Sequence, residues 1–173
     1  MPTDYSKIQF SKIFPFESIV TTFGASIIAI EGFFDDSLFK VKDDDFLGVV
    51  GRKYRARVNI SKLRQYSKEH FDKSWFSISL TISLINRSWY MVEKFQDYSP
   101  EFEFFRHLRN AASHGNRFKF NKIEPSRPAS WRGITIDHNL KGSSNPLQNK
   151  MCITNKIASA DMILLLWDIE QKP

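Results

Sequence analysis

Apolar residues recur at three- and four-residue steps over most of this chain, and at alternate positions over one short stretch. The first apolar region predicts a helix over about residues 15–34. Glu17, Thr21, Thr22, Ser26 and Glu31 interrupt it, so it reads as a buried helix rather than a membrane span. Gly24 and Gly32 are expected as close-packing or terminating points within it. The longest apolar helix is expected over about 74–98. There Trp75, Ile78, Ile82, Ile85, Trp89 and Val92 form a stripe that Leu80, Leu84 and Met91 widen, so burial on more than one side is expected. Asp97, Tyr98 and Ser99 then turn the chain into a further helix over 100–114, and a turn this short implies antiparallel neighbours. A last helix over about 154–170 carries Ile157, Met162, Ile163, Leu165, Leu166, Trp167 and Ile169.

Between 116 and 149 the character changes. Pro125, Pro128, Gly133, Gly142 and the run Ser143-Ser144-Asn145-Pro146 break any helix. Arg132, Ile134, Ile136, His138 and Leu140 alternate with Gly133, Thr135, Asp137 and Asn139, which is strand periodicity. Residues 151–153 are candidates to pair with that strand. The expected fold is therefore mainly all-α: an up-and-down bundle of four to five helices in a single domain over 1–173. Residues 116–153 would form an inserted arm or β-hairpin before the last helix.

Charge adds two segments to this picture. Asp35, Asp36 and residues 43–45 make an acidic connection, for which turn and N-cap duty outweighs metal ligation. A basic stretch follows, with Arg52, Lys53, Arg55, Arg57, Lys62, Arg64 and Lys68 among Tyr54, Val58, Leu63 and Tyr66 at roughly helical spacing. It either tracks a nucleic-acid backbone with its tyrosines stacked on bases, or forms a solvated face anchored by those tyrosines. Lys and Arg total 25 against 19 Asp and Glu, a net charge of +6 that suits a polyanionic partner without requiring one. A single cysteine, Cys152, excludes an internal disulfide framework and fits a reducing, cytoplasmic setting. Asp4, Lys7 and Lys12 interrupt the apolar run that a secretion signal would need.

The chemistry concentrates in the helix over 100–114. Ser99 is a suitable N-cap and Pro100 suits the first helical position. Glu101 and Glu103 face the positive end of the dipole, and Gly115 supplies a left-handed terminator. Its last turns hold Arg109-Asn110-Ala111-Ala112-Ser113-His114. Asn110 and His114 lie four apart, as do Arg109 and Ser113, so the Asn110 amide is placed to reach and orient the imidazole. His114 falls in the final turn, where the carbonyl ends favour an imidazolium. Arg106 adds a cation one turn earlier, and His107 shares the helix seven residues before His114. A guanidinium, an amide and an imidazole suffice for metal-free cleavage of a phosphodiester. The ordinary alternative is a set of solvated groups at a helix end.

The sequence of an Arg, a polar residue, a short spacer and a His resembles the motif of the HEPN family, many of whose members are ribonucleases. Arg64 to His70 and Arg132 to His138 match the loose pattern too. Only 109–114 has Asn directly after the Arg and ends at a glycine-closed helix. The resemblance implies a homodimer in which two motif helices meet, with a composite site across a two-fold axis. It also implies that His114 transfers protons, Asn110 positions it and Arg109 holds the scissile phosphate, with Arg106, Ser113 and Arg117 as further RNA contacts. The activity implied is endonucleolytic cleavage of RNA by its own 2′-hydroxyl, in a toxin or antiphage factor whose partners are RNA and an antitoxin. The competing reading is a non-catalytic HEPN module that binds RNA, a nucleotide or a protein partner. No cofactor, metal or membrane partner is expected: His70, His107 and His138 lack zinc-site spacing, and no glycine-rich loop precedes a helix. Cys152, alone in an apolar context, is a poor nucleophile.

Overall fold

In a computed structural model the chain is mainly helical. The residues described are 16–35, 37–38, 40–50, 52 and 55–172, without the side chains of Val49 and Val50. The readings that rest on Asp4, Lys7, Lys12, Asp36, Lys53 and Tyr54 fall outside them. In order come α1 (Phe16–Phe34), β1 (Phe46–Val50), β2 (Arg55–Asn59), α2 (Ile60–His70), α3 (Lys73–Val92), α4 (Pro100–Ser113), β3 (Ala129–Trp131), β4 (Ile134–Ile136) and α5 (Ser159–Glu170). The chain divides into two compact units, one comprising Gly24–Ser77 and the other the residues up to Phe23 together with Ile78–Pro173.

The larger unit is built around α4. Ser99 caps this helix through its hydroxyl, which accepts from the Phe102 N–H at 3.4 Å, and Asp97 fixes Ser99 in turn by accepting its N–H at 2.9 Å. Phe102, Phe104, Phe105, Leu108, Ala111 and Ala112 are all buried, so the helix is covered on several sides. Trp89 of α3 meets Phe102 and Phe105 edge-on, with ring centroids at 5.8 and 5.4 Å. Phe104 stacks on Trp131 of β3, and His107 meets Phe120. From α5, Met162, Leu164, Leu165, Leu166 and Ile169 complete this core. Each buried side chain of this size stabilises the fold by about 1.5–3 kcal/mol relative to exposure.

The hairpin expected before the last helix is present, in a different role from a projecting arm. β3 pairs antiparallel with β4, placing Ala129 opposite Ile136 and Trp131 opposite Ile134. Phe118, Phe120, Trp131 and Ile136 are buried, and β3 lies against α4, where Trp131 meets Phe104. Residues 151–153 do not pair with this hairpin. Met151 instead bridges to Arg117, and Ile153 to Ile157. α5 accordingly starts at Ser159, later than its apolar pattern predicts, where the Asp161 carboxylate accepts the Ala158 N–H. α3 likewise stops at Val92 and passes through a 3₁₀ turn, Glu93–Phe95, rather than continuing to Tyr98.

In the smaller unit the basic stretch is not one helix. Its first half contains β2, which pairs with the preceding β1 as a ribbon, and Asn59 then opens α2 by accepting the Lys62 N–H at 2.7 Å. The acidic connection does the turn work expected of it. Asp35 accepts from the Ser37 N–H and hydroxyl, and Asp45 from the Lys42 N–H. Arg64 is buried and donates to the Phe33 and Gly32 carbonyls at 2.6 and 3.3 Å, closing the C-terminus of α1. It is a helix cap, not a surface cation. Tyr66 stacks on His70 at 4.1 Å and stays largely exposed rather than anchoring the helix in a core. Trp75, read as a core position, is 64% exposed at the start of α3.

The structure also corrects the reading of α1 as a buried helix. Of its 19 residues only Phe16, Phe23 and Gly32 are buried, and Ile28 is 73% exposed. A Cβ placed on Gly24 would meet nothing within 4 Å, so that glycine marks no close packing. By length and composition alone, α1 is the one helix among the described residues long and apolar enough to cross a membrane.

Candidate functional site

The motif occupies the C-terminal end of α4, where the expected stop is realised atom by atom. His114 is the C-cap residue, and its N–H donates to the Asn110 and Ala111 carbonyls, both at 3.1 Å. Gly115 takes φ +66° and Asn116 φ +64°, the left-handed geometry that reverses the chain after a helix. The Arg117 N–H then reaches back to the Ala111 carbonyl at 3.1 Å. Asn116 is buried and locks this exit in place: its Oδ1 accepts the Ile153 N–H at 2.8 Å and its Nδ2 donates to the Ile153 carbonyl at 3.3 Å. One side-chain amide thus satisfies both backbone groups of Ile153, which ties the motif's end to a segment 37 residues away.

Around that terminus the side chains sort by commitment. Arg109 is half-buried and donates to Asn110 Oδ1 at 3.2 Å, and among the described residues it has no carboxylate partner. His114 is exposed, and its ring makes no hydrogen bond among them. The expected Asn110–His114 contact is therefore not formed. The amide oxygen lies instead under the neighbouring guanidinium, because the cap geometry at His114, φ −105° and ψ 37°, has already left the helical path. Ser113 does not pair with Arg109 either. Its hydroxyl donates to Asn86 Oδ1 of α3 at 3.2 Å. Arg117 is exposed and donates to the Asn149 carbonyl at 2.8 Å.

Arg106 stands apart from the group expected of it. Its Nε donates to Glu103 at 3.0 Å and its Nη1 to Glu124 at 2.6 Å, and these two carboxylates hold its pKa above the usual arginine value despite the cost of burial. It is neutralised before any phosphate arrives. Glu103 is fully buried and also takes Gln96 at 3.1 Å and Arg127 at 3.6 Å, while Arg127 lies over the Tyr98 ring at 4.1 Å. His107 is buried beside this cluster with Nε2 3.2 Å from Arg106 Nη2. Burial first, and then the adjacent guanidinium, push its pKa down to about 3, so it is a neutral core imidazole rather than a second basic contact. The Cys152 thiol is buried and pushed up to about 12, the inert state expected of it.

Sequence reading gives Glu103 a helix-dipole role only, and assigns none to Asn86, Asn116 or Glu124. Asn86 and Asn116 are polar residues beside apolar runs, a faint signal, and their partners lie 27 and 37 positions away. Among the described residues no three His, Cys, Asp or Glu side chains gather as a metal site would. The helix end thus presents an accessible imidazole, a half-buried guanidinium with no carboxylate on it among the described residues, and the exposed Arg117 on a braced backbone, an arrangement able to bind an anion and exchange a proton. Comparison of the chain with protein-family models, with curated proteins and with solved structures gives no match.

Proposed function

We propose that this chain is a metal-independent endoribonuclease of the HEPN type that works as a homodimer and acts as a toxin or antiphage factor. The observation that carries the reading is the contrast along α4 and its surroundings. Arg106, Arg127 and Arg132 each meet a carboxylate, whereas Arg109 has none among the described residues and the His114 ring is left exposed. A solvent-accessible guanidinium that no carboxylate occupies is open to an incoming anion such as a phosphate. The four-to-five-helix up-and-down bundle expected of the family belongs to the same proposal.

The chemistry follows from what one subunit lacks. Cleavage by the RNA's own 2′-hydroxyl needs a base to take that proton and an acid to protonate the departing 5′-oxygen. One imidazole is poorly placed to do both at once, and two related by a two-fold axis divide the task. His114 of each copy takes one role. Arg109 stabilises the charge that grows on the nonbridging oxygens. Asn110, which holds Arg109 in the free subunit, sets the position of that guanidinium and is available to the imidazole once the partner helix docks. The products are a 2′,3′-cyclic phosphate and a 5′-hydroxyl, and DNA is inert because it lacks the nucleophile.

The test is incubation of the purified protein with mixed RNA in EDTA, beside the His114→Ala variant. Cleavage by the parent alone, with cyclic-phosphate ends, is the expected result. Binding of RNA by both proteins with cleavage by neither would replace the enzyme with a non-catalytic binding module.

A further inference from the structure

We propose that the β1–β2 ribbon is an RNA-binding surface that holds a single strand by its phosphates through Arg55 and Arg57. The choice of RNA rests on the ribonuclease reading, but the surface is argued from the ribbon itself. From Phe46 to Asn59 the sequence carries Arg52, Lys53, Arg55 and Arg57 and no Asp or Glu. The register sets Val50 opposite Arg55, Gly48 opposite Arg57 and Phe46 opposite Asn59. Residues directly opposite share a face, and alternate residues along a strand do too. Arg55, Arg57 and Phe46 therefore lie on one face, with the two arginines about 6.8 Å apart along the strand, close to the step between successive phosphates of an extended strand. Both are exposed, and among the described residues neither has a carboxylate partner.

The aromatic on that face completes the case. The Arg57 guanidinium lies over the Phe46 ring, 4.3 Å from its centroid, and Phe46 is still 45% exposed. A guanidinium ordered flat on a ring keeps its edge for a phosphate and its outer face for a base, which is how single strands are recognised without sequence readout. The acidic residues before the ribbon, Asp43, Asp44 and Asp45, lie at its Phe46–Asn59 end, away from Arg55. Asp45 accepts the Lys42 N–H and Asp43 the Ser61 hydroxyl, at the end opposite Arg52 and Arg55. Leu47 on the other face is 54% exposed, so the strands are not a buried layer whose arginines merely border a core.

The experiment measures binding apart from cleavage. A fluorescein-labelled 2′-O-methyl RNA strand of mixed sequence, which offers no free 2′-hydroxyl, is titrated with the full chain and followed by anisotropy across a salt series. For the Arg55→Gln/Arg57→Gln variant the affinity should fall about tenfold, and the slope of log affinity on log salt should become shallower by about 1.4 for two lost phosphate contacts. The Arg55→Lys/Arg57→Lys variant should keep the parent's slope. Photocrosslinking of the unaltered parent should yield adducts within the ribbon, a readout that needs no substitution to fold. Equal affinity and slope in parent and Gln variant, absence of binding by the parent, tighter binding of duplex DNA, or equally effective displacement by polyglutamate would each overturn the proposal. Cleavage of ordinary RNA in EDTA reads the catalytic proposal separately, so either can fail alone.

Discussion

The Ser113 hydroxyl donates to Asn86 Oδ1 at 3.2 Å and ties the last turn of the motif helix to the middle of α3. Trp89, one turn further along α3, packs on Phe102 and Phe105 in the first half of α4, so neighbouring turns of α3 hold both halves of the motif helix. The bond is solvent-accessible, and its contribution should be small. A double-mutant cycle with Asn86→Ala and Ser113→Ala, read by urea denaturation, is expected to give a coupling of about 0.5–1 kcal/mol. A coupling of zero would remove this contact from the account of how the motif is held.

His114→Ala and Arg109→Ala should separate chemistry from stability. His114 is exposed and makes no side-chain hydrogen bond among the described residues, so its loss should change stability by no more than about 0.5 kcal/mol. If it transfers a proton, the cleavage rate should fall by about two to four orders of magnitude. Arg109→Lys should restore little, because a compact ammonium cannot bridge two phosphate oxygens as the fork does. Thermal melts alongside end-labelled RNA assays would show both effects, and an active His114→Ala protein would end the proposal.

Glu103 lies fully buried between Arg106 and Arg127, and replacing it with Gln leaves Arg106 with Glu124 as its remaining carboxylate. Breaking a buried pair by removing one partner costs about 3–5 kcal/mol. The lower end is expected here because Glu124 retains part of the compensation. Equilibrium unfolding of Glu103→Gln would measure it, and a change below 1 kcal/mol, a modest single-hydrogen-bond effect, would mean the cluster is decorative.

The buried imidazole of His107 makes stability depend on pH in a defined sense. Its folded pKa, about 3, lies below the ordinary value of 6.5, so between these values the unfolded chain binds a proton that the folded chain does not. Stability from this group is complete above pH 6.5 and is lost as pH falls, with a slope of up to about 1.4 kcal/mol per pH unit. His107→Gln keeps a neutral polar group beside Arg106 and removes the titration. The parent should therefore lose stability more steeply than the variant between pH 6.5 and 4, and parallel curves would show that the site admits the charged ring.

Most of the helical pattern was readable because it is local. α4 shows this best: its cap at Ser99, its proline, its acidic first turn and its glycine stop are all neighbours in sequence and all behave as their chemistry requires. The helical spacing of the basic stretch holds over α2 but not over Arg55 and Arg57, which alternate within a ribbon whose partner strand comes earlier in the chain, a relationship that helical spacing cannot express. Turn residues mark 116–153 as an inserted arm or hairpin, and β3–β4 is that hairpin, but the burial of Phe118, Phe120, Trp131 and Ile136 depends on packing that the local pattern does not show.

For this protein, then, sequence alone determined where α4 begins and ends and that Arg109, Asn110 and His114 gather at its C-terminus, since caps, dipole and left-handed residues act within a few positions. Tertiary structure decided which of the neighbouring charges stay available. Arg106 is neutralised by Glu103 and Glu124, His107 is buried and neutral, and Arg109 keeps its charge unpaired by carboxylate among the described residues. The reason is physical: a charge's availability depends on burial and on partners brought within a few ångströms by the fold, and Glu124, 18 positions along the chain from Arg106, reaches it only once the chain has folded back.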